Sequence, residues 1–350
     1  MREQDYYERG YDDEPRRSKK AKKRKRKQSG TRGERVVVTL LSLLFLTVAV
    51  VATVKYVVRA PEPVTDGEDQ QTQQDGTAED SDAIQTISNG RERKSKYCYN
   101  ILLYGVDNDA GGSDTNMLMR FDAVNKTVDV VSLPRDTLMS NGHKLNSSYN
   151  NGGTEKLRSN IEDMLGVPVD FYVSVDLKGF IALIDQIGGV DFDVPCDMDY
   201  DDPYQDLHIH FSAGMQHLSG AEALKVVRFR HNNDGTGYGS EDLGRMQTQQ
   251  KFLKAVAKKM LSFENLISNP RKYAKIFNQY VDTNLTVGNL AWLGTEVLKM
   301  GVDKIDFSTL PNAWKYPYIY LDPTETLTLV NTYLNPYVED RTAEDLHLPS

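Results

Sequence analysis

Apolar positions change their rhythm along the chain, and each rhythm predicts a different kind of segment. Residues 36–58 are an almost unbroken run of Val, Leu, Ala, Thr and Phe. As a helix rising roughly 1.5 Å per residue, that run is about 35 Å long, enough to span a bilayer with some tilt. Lys55 stands near its far end, where the stem stays in hydrocarbon while the ammonium reaches the headgroups, and Arg59 marks the exit. From 61 to about 95 there is little to bury, which predicts a solvated tether. From Tyr97 onward short apolar runs alternate with helical periodicity, so a folded domain begins there.

Within that domain, 100–107 has the pattern of a buried strand, and 117–121 and 127–133 of two more, with Asn125 and Lys126 making the turn between the latter. A Gly-rich turn at 151–153 feeds Thr154, the expected N-cap of a helix running to about Leu165, and 169–175 returns as a strand. Residues 177–187 repeat at helical spacing and stop at Gly188 and Gly189; 190–194 then alternates as a strand until Pro195. Helices follow at 220–224, at 243–261 and before Tyr280 and Met300, then a strand at 304–310 and a closing helix after Pro323. Such alternation predicts an α/β fold whose sheet is covered by helices on both faces.

Charge divides the chain differently from its average. Nearly every residue from 16 to 27 is Lys or Arg, whereas 62–82 carries only acidic charges, so the formal net charge of -8 averages opposite pieces. Positive charge resists translocation and is drawn to anionic lipid. The expectation is a single-pass membrane anchor with its N-terminus in the cytoplasm and the domain outside. A cleaved signal peptide would have a shorter apolar region and a small-residue cleavage site, and neither is present. The basic block also has the charge to bind a phosphate backbone. Topology accounts for it without a nucleic-acid partner, and no aromatic residues interleave with it for base stacking.

The expected organisation is therefore a basic cytoplasmic tail at 1–35, a transmembrane helix at 36–58, a disordered extracellular linker at 59–96, a catalytic domain at 97–340 and a C-terminal tail at 341–350. Cys98 and Cys196 are the sole cysteines, too few for a disulfide framework; they either pair or stay free. There is no internal repeat, no Gly-rich nucleotide loop, no His-x-x-x-His or paired-Cys metal pattern, and no nucleophile elbow near any of the six histidines.

What the domain offers is carboxylates and arginines at strand ends and loops. Asp107 ends the first strand and Asp114 precedes the second, hard oxygen ligands suited to Mg²⁺ once phosphate oxygens and water complete the shell. Arg135 and Asp136 follow Pro134, which ends the third strand. If 226–230 is extended, Arg228 and Arg230 project from one face; Arg245 and Gln249, four apart, share a helix face. Singly, such residues are turn formers and surface ion pairs. Converged, several guanidiniums facing two carboxylates make a site for a polyanion and a divalent metal, the equipment of phosphoryl transfer.

These segments, taken in order, resemble the LytR-CpsA-Psr family. Asn100-Ile101-Leu102-Leu103-Tyr104-Gly105-Val106-Asp107 is similar to its opening strand. The blocks Ser113-Asp114-Thr115, Ser132-Leu133-Pro134-Arg135-Asp136 and Lys144-Leu145-Asn146-Ser147-Ser148-Tyr149 follow. Asp185-Gln186-Ile187-Gly188-Gly189-Val190, Arg228-Phe229-Arg230 and Gly244-Arg245 continue the match, which covers roughly 97–310. The resemblance implies a three-layer α/β/α sandwich around a mixed central sheet, with an apolar tunnel for a polyprenyl chain and pyrophosphate at its mouth. It implies that Arg135, Arg228, Arg230, Arg245, Gln249 and Lys144 contact the substrate and that Asp107 and Asp114 are metal-associated. Phe180, Ile184 and Ile187 are candidate wall positions, which ordinary core packing explains equally well.

The implied activity is Mg²⁺-dependent transfer of a glycopolymer from a polyprenyl-pyrophosphate carrier to peptidoglycan in a Gram-positive-type cell envelope, releasing polyprenyl phosphate. Asp107, Arg135 and Asp136 are the catalytic candidates, with the base either Asp107 or Asp136. A polyprenyl-pyrophosphate hydrolase and a non-catalytic wall-polymer binding or regulatory protein are the alternatives. Two departures stand out: Thr248 replaces a common Arg before Gln249-Gln250, and 231–242 is longer than usual.

Overall fold

The computed structural model of the chain describes residues 58–62, 87–88, 91–106, 112–204, 206–239, 241–260 and 270–349. The expected anchor at 36–58, apart from Val58, lies outside the described residues, as do the basic block and Asp107. Among the described residues no helix is long and apolar enough to cross a membrane.

In chain order the domain contains β1 (Cys98–Val106), β2 (Ser113–Asp122), β3 (Thr127–Leu133), α1 (Gly153–Leu165), β4 (Phe171–Asp176), α2 (Leu177–Gln186), β5 (Val190–Val194), β6 (Met198–Asp202), β7 (Leu207–Phe211), β8 (Gly214–Leu218) and α3 (Gly220–Arg228). There follow α4 (Glu241–Met260), α5 (Pro270–Tyr280), β9 (Val281–Thr283), α6 (Val287–Met300), β10 (Ile305–Thr309), β11 (Asn312–Lys315), β12 (Tyr318–Leu321) and α7 (Pro323–Leu329). Six strands form the central sheet in the order β9-β4-β1-β2-β3-β10. β4 runs parallel to β1 and β10 parallel to β3, while the other neighbours are antiparallel, so the sheet is mixed as expected.

Both faces are covered, which is why β1 reads as continuous apolar sequence rather than an alternation. Leu102, Tyr104, Leu118 and Val131 point to one face, against Leu157, Ile161 and Met164 of α1 and Leu329 of α7. Tyr99, Ile101, Met117 and Val130 point to the other, against Leu253 of α4 and Leu290 and Leu293 of α6. A third cluster lies beyond this second face: Phe192 of β5, Ile209 of β7, Ile184 of α2 and Val226 of α3 meet Phe252 and Val256 of α4. The α4 helix thus serves two clusters through adjacent stripes.

Several local expectations are corrected. The capping residue of α1 is Gly152, and Thr154 is already helical; its hydroxyl lies 2.7 Å from Tyr104 Oη. The 220–224 helix continues to Arg228, so 226–228 is its last turn rather than extended chain. Buried Ala223 and Val226 sustain the helical period, and the Glu222 carboxylate pins the start by accepting from Ser219 N–H at 2.8 Å. Beside the central sheet lie the pairs β5–β8 and β6–β7, the hairpin β11–β12, and a short antiparallel pair of Ile87–Ser88 with Arg91–Glu92. Both cysteines are free: Cys98 is buried in β1, its thiol pushed up to about 12 by burial, and Cys196 is half-buried.

The segment expected as a disordered linker is ordered where it is described. Tyr99 Oη donates to Pro61 O at 2.8 Å and Asn289 Nδ2 to Arg59 O at 3.0 Å. Arg93 is buried, its Nη1 donating to Asp170 Oδ2 at 2.9 Å and to Cys98 O at 2.8 Å. A segment with little apolar surface is held here by a desolvated charge pair, a partner no local pattern announces. Residues 341–349 also pack on the domain: Leu346 is buried, and Asp345 bridges Arg341 at 2.6 Å and Arg91 at 3.4 Å.

Candidate active site

A cavity of about 560 Å³ opens between the second face of the sheet and helices α2, α3 and α4. Its floor is strand: Leu103 and Gly105 of β1, Met117 of β2, Val173 and Val175 of β4. Its walls are Phe180, Leu183 and Ile184 of α2, Leu224 and Val227 of α3, and Phe252, Leu253 and Val256 of α4, with Tyr200 and Leu207 of the β6–β7 hairpin. Close approach of α3 to α2 requires Gly220, where a Cβ would stand 2.3 Å from Ile181 O.

Charged and polar side chains line the same cavity. Asp114, Arg135, Arg228, Arg230, Arg245 and Gln249 all line the cavity. Asp114 and Arg230 are exposed, Arg135 and Arg228 half-buried, and Arg245 is buried at 7% exposure, so the set grades from solvent inward. Arg135 Nη1 donates to Asp114, joining the residue after the third strand to the start of the second. Gln249, one turn after Arg245 on α4, donates to Val227 O at 3.1 Å and so satisfies a carbonyl in the last turn of α3. The neighbouring Gln250 instead donates to Ser132 Oγ at 2.8 Å and Ser308 O at 2.9 Å, fixing α4 to the edge of the sheet.

The helix end at Arg228 changes how the Arg228 and Arg230 pair is built. Phe229 is the C-cap, with ψ at 138°, and is buried; it and the arginines on either side all line the cavity. Asp136 and Lys144 pair with each other at 2.8 Å, with Arg135 Nε 3.9 Å from Asp136, and neither is among the residues lining the cavity. Lys144 also lies over the Tyr318 ring, 5.8 Å from its centroid. Of the three wall candidates on α2, Phe180 and Ile184 line the cavity; Ile187 caps the helix end and is buried in the third cluster. Asp107 lies outside the described residues, although Val106 pairs with Ser113 at this end of the sheet.

Sequence reasoning did not find most of the walls. Leu103, Val173, Val175 and Phe252 carry the same strand and helix periodicity as core residues, and periodicity does not separate a lined space from a filled one. His231, just past the arginine pair, also lines the cavity, its Nδ1 2.9 Å from Asn232 O.

The protein is thus a mixed α/β fold with a cavity whose lining combines apolar side chains with four arginines, Asp114 and Asp176. The chain matches the LytR_cpsA_psr family over residues 64–334 and belongs to it. It is 34% identical over 202 residues to the polyisoprenyl-teichoic acid–peptidoglycan teichoic acid transferase TagV of Bacillus subtilis, covering 54% of this chain and 50% of that protein. It is 31% identical over 220 residues to the regulatory protein MsrR of Staphylococcus aureus, covering 60% of this chain and 64% of that one. The match thus spans less than two thirds of either relative. The crystal structure of Bacillus subtilis TagV superposes with a TM-score of 0.56 at 30% identity, covering 67% of this chain and 95% of that one.

Proposed function

We propose that this protein is a membrane-anchored phosphotransferase that moves a glycopolymer from a polyprenyl-pyrophosphate carrier to peptidoglycan, with its domain outside the cell. The observation that carries this is one cavity lined by apolar side chains from sheet and helices together with four arginines and two carboxylates. A carrier lipid lifted from a bilayer exposes hydrocarbon at about 25 cal/mol per Å², a cost that an apolar cavity offsets. Its pyrophosphate matches guanidinium forks, which bind phosphate oxygens bidentately and stay charged at every relevant pH. The naming of TagV as a teichoic acid transferase to peptidoglycan supports the same reaction class.

In the proposed reaction a peptidoglycan sugar hydroxyl attacks the sugar-linked phosphorus, the new P–O bond forms, and the phosphoanhydride bond breaks to expel polyprenyl phosphate. Arg135, Arg228, Arg230 and Arg245 hold the phosphate oxygens and stabilise charge that grows on the leaving group. Asp136, engaged by Lys144, keeps Arg135 in place, which leaves Asp107 as the candidate base for the hydroxyl proton. Asp114 offers carboxylate oxygen beside the arginines, the donor type a hard cation takes. With Asp107 it would hold Mg²⁺, which when bound supplies further neutralisation of phosphate charge.

The test incubates the purified full chain with polyprenyl-pyrophosphate-linked glycopolymer and peptidoglycan, with and without Mg²⁺. Polymer joined to peptidoglycan together with released polyprenyl phosphate is the expected result. Release of polyprenyl phosphate without acceptor modification would make the protein a hydrolase, and tight binding without turnover would make it a binder.

A further inference from the structure

The β6–β7 hairpin carries a second chemical cluster on the face turned away from the cavity. Its two strands alternate cleanly: Met198, Tyr200, Leu207 and Ile209 point inward, while Asp199, Asp201, His208 and His210 are exposed. His208 and His210 are two apart on one strand and so share a face, and Asp201 stands directly opposite His208 in the antiparallel register. One ligand atom from each of Asp201, His208 and His210 lies within 4.8 Å of the others.

We propose that Asp201, His208 and His210 form a binding site for a divalent transition metal of the Zn²⁺ type. Asp201 Oδ1 contacts His208 Nδ1 and lies 3.3 Å from His210 Nε2. Ligands at about 2.0–2.1 Å from a tetrahedral ion stand roughly 3.3 Å apart, so the His210–Asp201 edge already has that length. The remote ring nitrogen of His210 is supported by a carboxylate in the way metal-bound histidines are, with Nδ1 2.8 Å from Asp199 Oδ1; Asp206 Oδ1 lies 3.6 Å from His208 Nε2, beyond hydrogen-bond reach. Two imidazoles select Zn²⁺, Cu²⁺ or Ni²⁺ over Mg²⁺, which prefers oxygen. The site is therefore chemically distinct from the carboxylate pair of the proposed transferase centre, and it does not depend on that reading.

The backbone beneath the ligands is fixed from the side. Asn232 Oδ1 accepts from Asp199 N–H at 2.7 Å, and Asn233 Oδ1 accepts from Asp201 N–H at 2.6 Å. A bound ion would join the strands near their turn, and the inward residues of the same hairpin, Tyr200 and Leu207, are cavity wall. Metal binding thus stiffens one wall of the cavity from outside.

The test is a Zn²⁺ titration of the purified full chain, followed calorimetrically and by thermal melting, with excess Mg²⁺ as competitor. The wild type should bind one equivalent that Mg²⁺ does not displace, and bound Zn²⁺ should raise the melting temperature. The His208→Ala/His210→Ala double variant should lose that equivalent, Asp201→Asn should weaken it at least tenfold, and metal-free melting should be unchanged in both. His217→Ala is the control, because His217, 2.7 Å from Asp191, is not part of the His–His–Asp group. A double variant that retains the equivalent, a wild type without one, or an equal loss in His217→Ala would each overturn the assignment.

Discussion

Gly105 offers the most direct test of the cavity as a binding site for a hydrocarbon chain. It sits in β1 on the cavity floor, and an added Cβ would meet nothing nearer than Thr115 Cβ at 3.8 Å and Val175 O at 3.9 Å. A leucine there has room at its base and extends into the space above. Its four side-chain carbons would displace about as many carbons of a bound chain, at about 0.8 kcal/mol each. The expected loss is about 3 kcal/mol, on the order of a hundredfold in affinity. Stability should not suffer, since glycine within a strand costs roughly 0.5–1 kcal/mol relative to alanine. Equilibrium binding of a long-chain polyprenyl phosphate would be measured for wild type, Gly105→Ala and Gly105→Leu, alongside thermal melting. A well-folded Gly105→Leu that binds as tightly as wild type would show that the chain does not occupy this cavity.

Asp114→Ala and Arg135→Ala should each lower transfer about ten- to over a hundredfold with little change in melting, because loss of a charge-assisted contact costs roughly 1.5–3 kcal/mol; near-wild-type turnover in either would reject the assignment. Arg93→Ala should destabilise the domain by about 3–5 kcal/mol, since it strands the Asp170 carboxylate in the interior, and denaturant unfolding would measure this directly. Partial burial opposes ionisation of Asp345, but hydrogen bonds from Thr342 and Arg341 outweigh it and hold the carboxyl down to about 2. A depressed pKa contributes stability that is complete above the unfolded value near 4 and is lost as pH falls through about 2. The melting difference between wild type and Asp345→Asn should therefore shrink across that acid window, and a difference that persists unchanged below pH 2 would refute the linkage.

Sequence legibility followed the range of the interaction involved. β3 and β5 were placed to the residue because each is bounded by turn chemistry the chain spells out, Lys126 at positive φ before one and Gly188-Gly189 before the other. The arginines were legible as residue types, but not as a place: Arg135, Arg228 and Arg245 come from a loop and two helices, and only the tertiary packing brings them to one cavity. Arg93 was misread because its partner Asp170 is 77 residues away and a charge pair has no periodicity. The histidine pair was passed over for a related reason. A search at helical spacing misses His208 and His210, whose interval of two is the spacing that puts side chains together on a strand.

Thr248 and the 231–239 segment belong to one structural feature. The 231–239 segment folds back over the start of α4, and Tyr238 packs edge-on against Phe229 with centroids 5.2 Å apart. Gly244 permits this, because a Cβ there would stand 2.3 Å from Tyr238 Cβ. One turn along α4, Thr248 is buried beside the Tyr238 hydroxyl, whose pKa burial pushes up to about 12. Thr248 therefore faces a packed phenol and is not among the residues lining the cavity, and a guanidinium at this position would have to displace the phenol. The same segment reaches the β6–β7 hairpin through Asn232 and Asn233 at its other end. It consequently ties the helix that carries Arg245 to the hairpin that supplies Tyr200 and Leu207, so a change in this segment would reach a cavity arginine and the apolar wall together.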